Sequence, residues 1–439
     1  MSVKARATPK TAAAAAPSVR GRVAHFFSVL GPGLITGAAD DDPSGISTYS
    51  VAGASTGYSM LWLTLVSTPM MAVVQGMCAR IAMVTGEGLA AAMLRRLPRS
   101  AAYGLAILVI VANTFNVGAD VAGMSAAAHL VAPMPIGIWA LIFGAALVAA
   151  TTWLPYAAIA RVFKWLTLVL FAYVITAFIV HPPWPLVLRA FVTPQIHLDA
   201  GWLSTMVGVL GTTITPYLFF WQSSLMIEEE KERGNITLAS RRGTNAAAIH
   251  DAHEDINAGM IFSNIVAFFI IVTTASTLGA AGKHDIATAQ QAAEALRPLA
   301  GKFAAWLFTI GMVGTGILAV PVLAGSSAYV AAETFGFREG LGEPLRRAPG
   351  FYGVIAAGII IGLAMDLVSI DPIKALFWSA VLNGVAAVPI LAVIVVLASD
   401  RKVMGKWRSS ALAIAWGWGT VVLMGLAAAG MFYFTAKGS

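Results

Sequence analysis

The sequence predicts an all-helical membrane protein with about eleven transmembrane helices, arranged as two inverted five-helix repeats and one extra helix. Three observations carry this. The 439-residue chain is 58% hydrophobic and only 11% charged, with a mean hydropathy of +0.78, whereas a soluble domain carries about 25% charged residues. Apolar runs of spanning length, roughly 20 residues each, recur along nearly the whole chain. Two of those runs, in matching positions, are interrupted by Gly and Pro, the pattern of inverted repeats. The same composition excludes a soluble enzyme, a disordered chain and a nucleic-acid binder. The excess of 28 Lys+Arg over 21 Asp+Glu is what the cytoplasmic loops of a membrane protein accumulate, so it does not point to nucleic acid. A lone cysteine, Cys78, leaves no disulfide framework and no cysteine-based zinc site.

Taken in order, the spans fall at 25–51, 58–85, 101–130, 136–152, 157–180 and 202–227, then at 256–280, 303–332, 351–367, 373–398 and 411–434. Repeat one is 25–180, repeat two is 202–398, and 411–434 is the extra helix; together 25–434 forms a single transmembrane domain. The eighth run is long enough for its ends to project from the bilayer. Residues 1–24 are rich in Ala, Ser, Pro and basic side chains and contain no acid. They read as a disordered basic cytoplasmic tail, although an organellar transit peptide has the same flavour. No secretory signal is expected, because the first apolar segment is needed as a span.

Orientation follows from the basic residues. Arg95, Arg96, Arg99, Arg161, Lys164, Lys231, Arg233, Arg241 and Arg242 fall on the side of the tail, with Arg338, Arg346, Arg347, Arg401, Lys402, Lys406 and Arg408. The opposite loops hold only Arg189, Lys283, Arg297, Lys302, Lys374 and Lys437. An odd number of spans gives this split. It puts the N-terminus in the cytoplasm and the C-terminus outside, across a plasma membrane.

The informative residues lie inside spans one and six. Span one contains Gly37-Ala38-Ala39-Asp40-Asp41-Asp42-Pro43-Ser44-Gly45. A single Asp at the centre of a membrane helix costs about 2.5–3.5 kcal/mol on insertion scales, so three in a row need a reason. Pro43 has no N–H, clashes with the carbonyl four residues back and biases Asp42 away from helical angles. The helix should stop near Ala39 and restart at Pro43, with Asp42 as its N-cap. Span six repeats the device in Gly211-Thr212-Thr213-Ile214-Thr215-Pro216-Tyr217, where Thr215 would cap and Pro216 would open the second half-helix. The two prolines free the carbonyls of Ala39 and Thr212. Unwound backbone at membrane depth is tolerated only where protein or a polar cavity satisfies it. Either proline alone reads as a kink; matched positions and an acid cluster together mark a substrate site.

That site offers hard ligands: the Asp42 carboxylate, the Ala39 and Thr212 carbonyls and the Thr215 hydroxyl. No His, Cys or Met lies in either break. Oxygen-only sets suit Mg²⁺, Ca²⁺ or Mn²⁺, and the small or hydroxylic neighbours leave volume for the waters that Mg²⁺ retains. Asp40 and Asp41 are expected to attract cations or to serve the structure.

These residues resemble the NRAMP divalent-metal transporters. The resemblance rests on Leu30-Gly31-Pro32-Gly33 followed by Asp42-Pro43-Ser44-Gly45, Gly57-Tyr58 with Leu61-Trp62, the stretch from Gln75 to Gly86, and the Gly211-to-Ser223 segment. It covers most of the chain and implies the eleven-helix, LeuT-like form of the inverted-repeat fold. Departures from the family pattern point further. Family members have Asp-Pro-Gly-Asn in the first span; here Ser44-Gly45 replaces Gly-Asn and an amide ligand is lost. They have Met-Pro-His in the sixth; here Thr215-Pro216-Tyr217 removes the thioether and the imidazole. Asp120 keeps the family's acid in the third span, while Gly123 falls where many members carry a proton-path glutamate. This combination is similar to the NRAMP-related magnesium transporters, whose substrates are hard divalent ions, chiefly Mg²⁺ with Mn²⁺ accepted. The resemblance implies ligation by Asp42 and the two freed carbonyls, with Asn383, the amide of span ten, facing the ion. It also puts Gly45, Tyr217, Asp120 and Asp41 on the cavity or ion path, and implies import by alternating access without proton coupling. The expected partners are the divalent ion and the lipid bilayer, with no cofactor, nucleic acid or obligate protein partner.

Alternatives are a proton-coupled Mn²⁺/Fe²⁺ symporter of the ordinary NRAMP kind and a cation-coupled amino-acid symporter of the same architecture, whose substrate carboxylate Asp42 would repel. A membrane enzyme would need a nucleophile–base pair or a metal-hydrolase motif, and neither appears. Asp120 could also be a buried acid paired with Asn113 or Asn116. The segment from His250 to Asp255 reads as a solvated helix start, since Asn257 stands where a metalloprotease helix would have its second His. Glu228, Glu229 and Glu230 either end the sixth helix in water or line an inner vestibule. Gly33 and Gly37 make a GxxxG of the kind that chance supplies among 42 glycines.

Overall fold

Backbone at membrane depth has to satisfy its own polar groups, which a helix does within one segment. In the computed structural model, which describes residues 36–37, 39–153, 169–365 and 371–438, every regular element among the described residues is helical. The tail at 1–24, the stretch from Leu30 to Gly33, Ala38 and the 157–168 part of span five lie outside the described residues. The principal helices are α1 (Pro43–Thr56), α2 (Leu61–Thr85), α3 (Leu89–Arg96), α4 (Arg99–Val131), α5 (Ile136–Trp153), α6 (Phe171–Ile179) and α7 (Trp184–Val192). They continue as α8 (Ala200–Thr213), α9 (Pro216–Glu232), α10 (Ala246–Thr274), α11 (Ala304–Phe335), α12 (Pro349–Met365), α13 (Pro372–Ser399) and α14 (Ala411–Lys437).

Among the described residues, eight stretches are long and apolar enough to cross a membrane, with Ala200–Glu232 counted as one. Pro349–Ala364 is a shorter apolar helix at the ninth expected span, and α1 and α6 are the described parts of the first and fifth. Burial separates centre from rim. The most apolar window of Ala200–Glu232 is 100% buried, against 22% for α5 and 28% for α14, so the broken sixth span is the axis of the bundle while α5 and α14 face lipid. The long helices α4 and α11 have 33 and 32 residues, about 50 Å at 1.5 Å per residue. They exceed a hydrocarbon core of roughly 30 Å, as expected for the eighth span, and they pack along each other. Helices α8 and α13 form a second close pair, and α10 lies against α2 and α1.

Two elements differ from the hydropathy reading. Helix α10 begins at Ala246 rather than near 256, because Asn245 caps it by accepting the Ala248 N–H at 2.9 Å. His250 and Glu254 then sit one turn apart on its solvated start and pair at 3.2 Å. Helix α7, opened by Pro183 and Pro185, lies in the apparent loop 181–201 and packs on α2. At the end rich in basic residues, α3 is capped from outside its own segment. The Ala91 N–H donates to the Glu333 carboxylate of α11 at 3.0 Å. Gly88 leaves the room for it, since a Cβ there would collide with that carboxylate. Arg96 of α3 pairs with Asp400 beyond α13 at 2.7 Å.

Candidate cation site

The first break falls where Pro43 requires it. The chain is helical at Ala39 and Asp40, leaves the helix at Asp41 and Asp42, and restarts as α1 at Pro43. Asp42 is extended (φ −70°, ψ 171°) and caps α1, its Oδ1 accepting the Gly45 N–H at 2.6 Å and the Ser44 hydroxyl at 2.9 Å. Its Oδ2 accepts from Asn116 Nδ2 of α4 at 3.2 Å. The carboxylate is thus fixed from both sides while only 1% exposed.

The second break is asymmetric with the first. Helix α8 ends at Thr213 and α9 restarts at Pro216. Thr215 has N-cap backbone angles, but its side chain makes no capping hydrogen bond, and its Oγ1 is buried without a partner. The capping role read from the sequence is therefore absent; the hydroxyl is left unspent between the half-helices. Tyr217, on the first turn of α9, donates its hydroxyl to the Ala39 carbonyl at 3.0 Å, tying one break to the other. A carbonyl oxygen has two lone pairs, so Ala39 keeps one for a further partner.

Gly45 and Thr212 bring the breaks face to face. A Cβ at Gly45 would lie 3.2 Å from Thr212 Oγ1 and 3.3 Å from Asp42 Oδ1, so the absence of a side chain leaves the space between them. Helix α13 closes a third side through two glycines: a Cβ at Gly211 would lie 2.2 Å from the Ala380 carbonyl and 2.4 Å from the Gly384 nitrogen. This contact sets Asn383, next to Gly384, at the level of Thr212; Asn383 is 1% exposed and its Oδ1 has no partner. From α4, Asp120 is fully buried and faces the Ser44 backbone N–H at the start of α1. It does not pair with the α4 asparagines. Asn116 is taken by Asp42, and Asn113 donates to Ser327 at 3.0 Å and to the Leu323 carbonyl at 3.4 Å.

Asp40 and Asp41 face a different helix. The Ser263 hydroxyl of α10 lies 2.6 Å from Asp40 Oδ2 and 3.2 Å from Asp41 Oδ1, which anchors the unwound strand on the side away from α4. Sequence reasoning missed the Ser263 contact and the Asn116–Asp42 bond; Asn116 carried a signal, as an amide in an apolar run, and Ser263 carried none. Among the described residues no three His, Cys, Asp or Glu side chains converge on a metal-binding point. Asp42 therefore belongs to no such three-residue carboxylate or imidazole cluster, although the buried Asp120 carboxyl on α4 lies close enough to interact with it. The His250–Asp255 run adds nothing to this site: His253 packs over Gly76 and lies 3.3 Å from Arg80. Glu228 and Glu230 pair with Lys231 and Arg233, both at 2.8 Å, at the end of α9.

Buried polar groups gathered at two helix breaks in the centre of an apolar multi-helix bundle mark a multi-pass membrane transporter. Comparison with known proteins gives the family. The Nramp family model, described as natural resistance-associated macrophage protein-like, matches residues 33–434. The divalent metal cation transporter MntH of Aeromonas hydrophila is 26% identical over 402 residues, spanning 89% of this chain and 92% of the relative. MntH of Acidiphilium cryptum is 26% identical over 431 residues, 95% of this chain and 93% of that one. The manganese transporter of Eremococcus coleocola, solved in complex with an aromatic bis-isothiourea compound, superposes with a TM-score of 0.73 at 18% identity, over 96% of this chain and 89% of that chain. The nucleobase-cation symporter Mhp1 superposes with a TM-score of 0.58 at 12% identity, over 93% of each chain. The chain belongs to the Nramp family, and its fold is the LeuT-like, inverted-repeat type.

Proposed function

We propose that this protein imports hard divalent cations, Mg²⁺ and also Mn²⁺, across a bacterial plasma membrane by alternating access around Asp42, without proton coupling. Membership of a family whose curated relatives are named divalent metal cation transporters supports cation transport. The observation that carries the choice of ion is the set of buried oxygen acceptors around Asp42. Thr212 Oγ1, Thr215 Oγ1, Asn383 Oδ1 and Asn116 Oδ1 are buried without hydrogen-bond partners, and buried acceptors are seldom left so without a ligand or water to satisfy them. Neither break contains a Met, Cys or His, so the set favours ions that prefer oxygen and keep part of their water shell.

In this reading Asp42 supplies the charge, while the Ala39 and Thr212 carbonyls, Thr215 and Asn383 supply neutral ligands. Asp120 and Asp41 flank the path. Tyr217 holds the Ala39 carbonyl in position in place of an imidazole, and Gly123 leaves no titrating side chain at its position on α4. Import then follows the ion gradient and the membrane potential, worth about 2.3 kcal/mol per charge per 100 mV. The basic loops set the N-terminus inside and the C-terminus outside. Two repeats, 25–180 and 202–398, would rock about the site, with 1–24 as a tail and 411–434 as a peripheral helix.

The test is ion uptake into proteoliposomes. Asp42→Ala should abolish Mg²⁺ and Mn²⁺ uptake, and a trapped pH dye should stay flat during wild-type uptake. Retained uptake in the variant would refute the site, and metal-driven acidification would refute the absence of coupling. Strong preference for Cd²⁺ over Mg²⁺ in competition would refute the hard-ion assignment.

A further inference from the structure

Toward the end of the bundle opposite the basic loops, α1, α8 and α13 border a cavity of about 780 Å³. Its lining includes Asp199, Asp285, His197 and His284, together with Ser and Thr hydroxyls, and contains no Lys or Arg. The nearby Lys283 is ion-paired with Glu294, and His284 is hydrogen-bonded to the Ala54 carbonyl at 2.9 Å. Asp199 is held in place as the N-cap of α8, accepting the Trp202 N–H at 2.8 Å.

The floor of this cavity is one layer of side chains. A Cβ at Gly208 would lie 3.3 Å from the Thr48 methyl and 3.4 Å from both the Phe377 ring and Val381, and Phe377 also lines the cavity. Thr48 follows Gly45 on α1 and Gly208 precedes Thr212 on α8, in each case by about one helical turn, roughly 5 Å. Within that layer Thr48 is fully buried, and its Oγ1 has no hydrogen-bond partner. A polar atom is thus stranded midway between the cavity and the Asp42 site.

We propose that this cavity is a waiting site for a hydrated divalent cation, held through its water shell by Asp199 and Asp285 and separated from the Asp42 site by the Thr48 layer. This rests on the reading that the chain imports such ions from that side. Among the described residues no carboxylate–imidazole trio is close enough to chelate a bare ion, so the attraction acts across water. Six waters at about 30 Å³ each occupy roughly 180 Å³, which the cavity holds easily. When the Phe377 layer parts, a water of the arriving shell meets Thr48 Oγ1 before the ion meets Asp42.

The experiment uses the double variant Asp199→Asn/Asp285→Asn, since Asn also serves as an N-cap. Initial rates of Mn²⁺ uptake into proteoliposomes should show an apparent KM raised roughly fivefold at low salt, with an unchanged maximal rate. The difference should vanish near 1 M salt, where charges are screened beyond about 3 Å. Hexaamminecobalt(III), a cation that cannot shed its six ligands, should bind purified Asp42→Ala protein as it binds wild type, and should bind the double variant several-fold more weakly. An unchanged KM at low salt overturns the proposal, as does a KM shift that persists at high salt. Equal hexaamminecobalt(III) binding by all three proteins also overturns it, whether or not the Asp42 reading survives.

Discussion

Gly45→Asn is the sharpest test of whether the site is shaped for an ion that keeps part of its water. Gly45 is the third residue of α1 and is not among the glycines with positive φ, so the backbone accepts Asn at little cost. The effect is steric. The new Cβ would sit 3.2 Å from Thr212 Oγ1 and 3.3 Å from both Asp42 Oδ1 and the Asp40 carbonyl, inside the usual contact range of about 3.5–4.0 Å. The remaining amide fills about the volume of two waters, at roughly 30 Å³ each. Because Mg²⁺ gives up water reluctantly and demands near-octahedral geometry, its affinity should fall at least about tenfold, or 1.4 kcal/mol. Mn²⁺, for which an added amide oxygen is an acceptable ligand, should lose less. Titration of the purified variant with each ion, followed by competitive uptake, measures the ratio. A Mg²⁺ to Mn²⁺ preference unchanged from wild type would refute the claim that the empty side of Gly45 is there for water.

Thr215→Val removes a buried hydroxyl that caps nothing. The ion-free protein should gain about 1 kcal/mol of stability while Mg²⁺ affinity falls several-fold, both read from thermal unfolding with and without the ion; unchanged affinity would remove Thr215 from the ligand set. Gly211→Ala places a methyl 2.2 Å from the Ala380 carbonyl and 2.4 Å from the Gly384 nitrogen, where only backbone can yield. It should destabilise the protein by roughly 3 kcal/mol, visible as a lower melting temperature in detergent. Glu339, in the loop after α11, is pushed up to about 7 by burial, with Glu228 adding to the rise and Lys231 and Arg241 opposing it. Its folded value lies above the ordinary 4.5, so the folded chain keeps a proton that the unfolded chain has released. Stability from this group is full below about pH 4.5 and declines as pH rises through 7. Glu339→Gln should match wild type in acid and melt higher above neutrality, measured by unfolding across that range.

How much of this could be read from one sequence depends on the range of each interaction. The break at Asp42-Pro43 follows from local rules, and the cap forms as those rules require, because the proline, the carboxylate and the Gly45 N–H lie within four residues. At Thr215 the same local rule fails, since capping competes with whatever the surrounding helices offer the hydroxyl. Partners from distant segments were invisible: Asn116 reaches Asp42 across 74 positions and Ser263 reaches Asp40 across 223. Hydropathy places spans but says nothing about which faces meet. Asn113 and Asn116 therefore looked like partners for Asp120 on their own helix, whereas each turns to a different neighbour. Helix α7 escaped notice because a short, half-exposed helix at the bundle surface carries no spanning run.

The way α3 is capped reaches beyond that one short helix. Its N-terminal amide is satisfied by Glu333, a residue of α11, and no side chain of its own first turn is acidic. The loop leaving α2 is therefore buttoned to a helix from the other half of the chain. A movement that slides α2 past α11 has to undo this button, which for a helix cap costs about 1 kcal/mol, a bias of roughly fivefold in a two-state balance. The conformation described here carries a small built-in preference at its basic end, and a substitution at Glu333 would loosen the clasp without touching the ion.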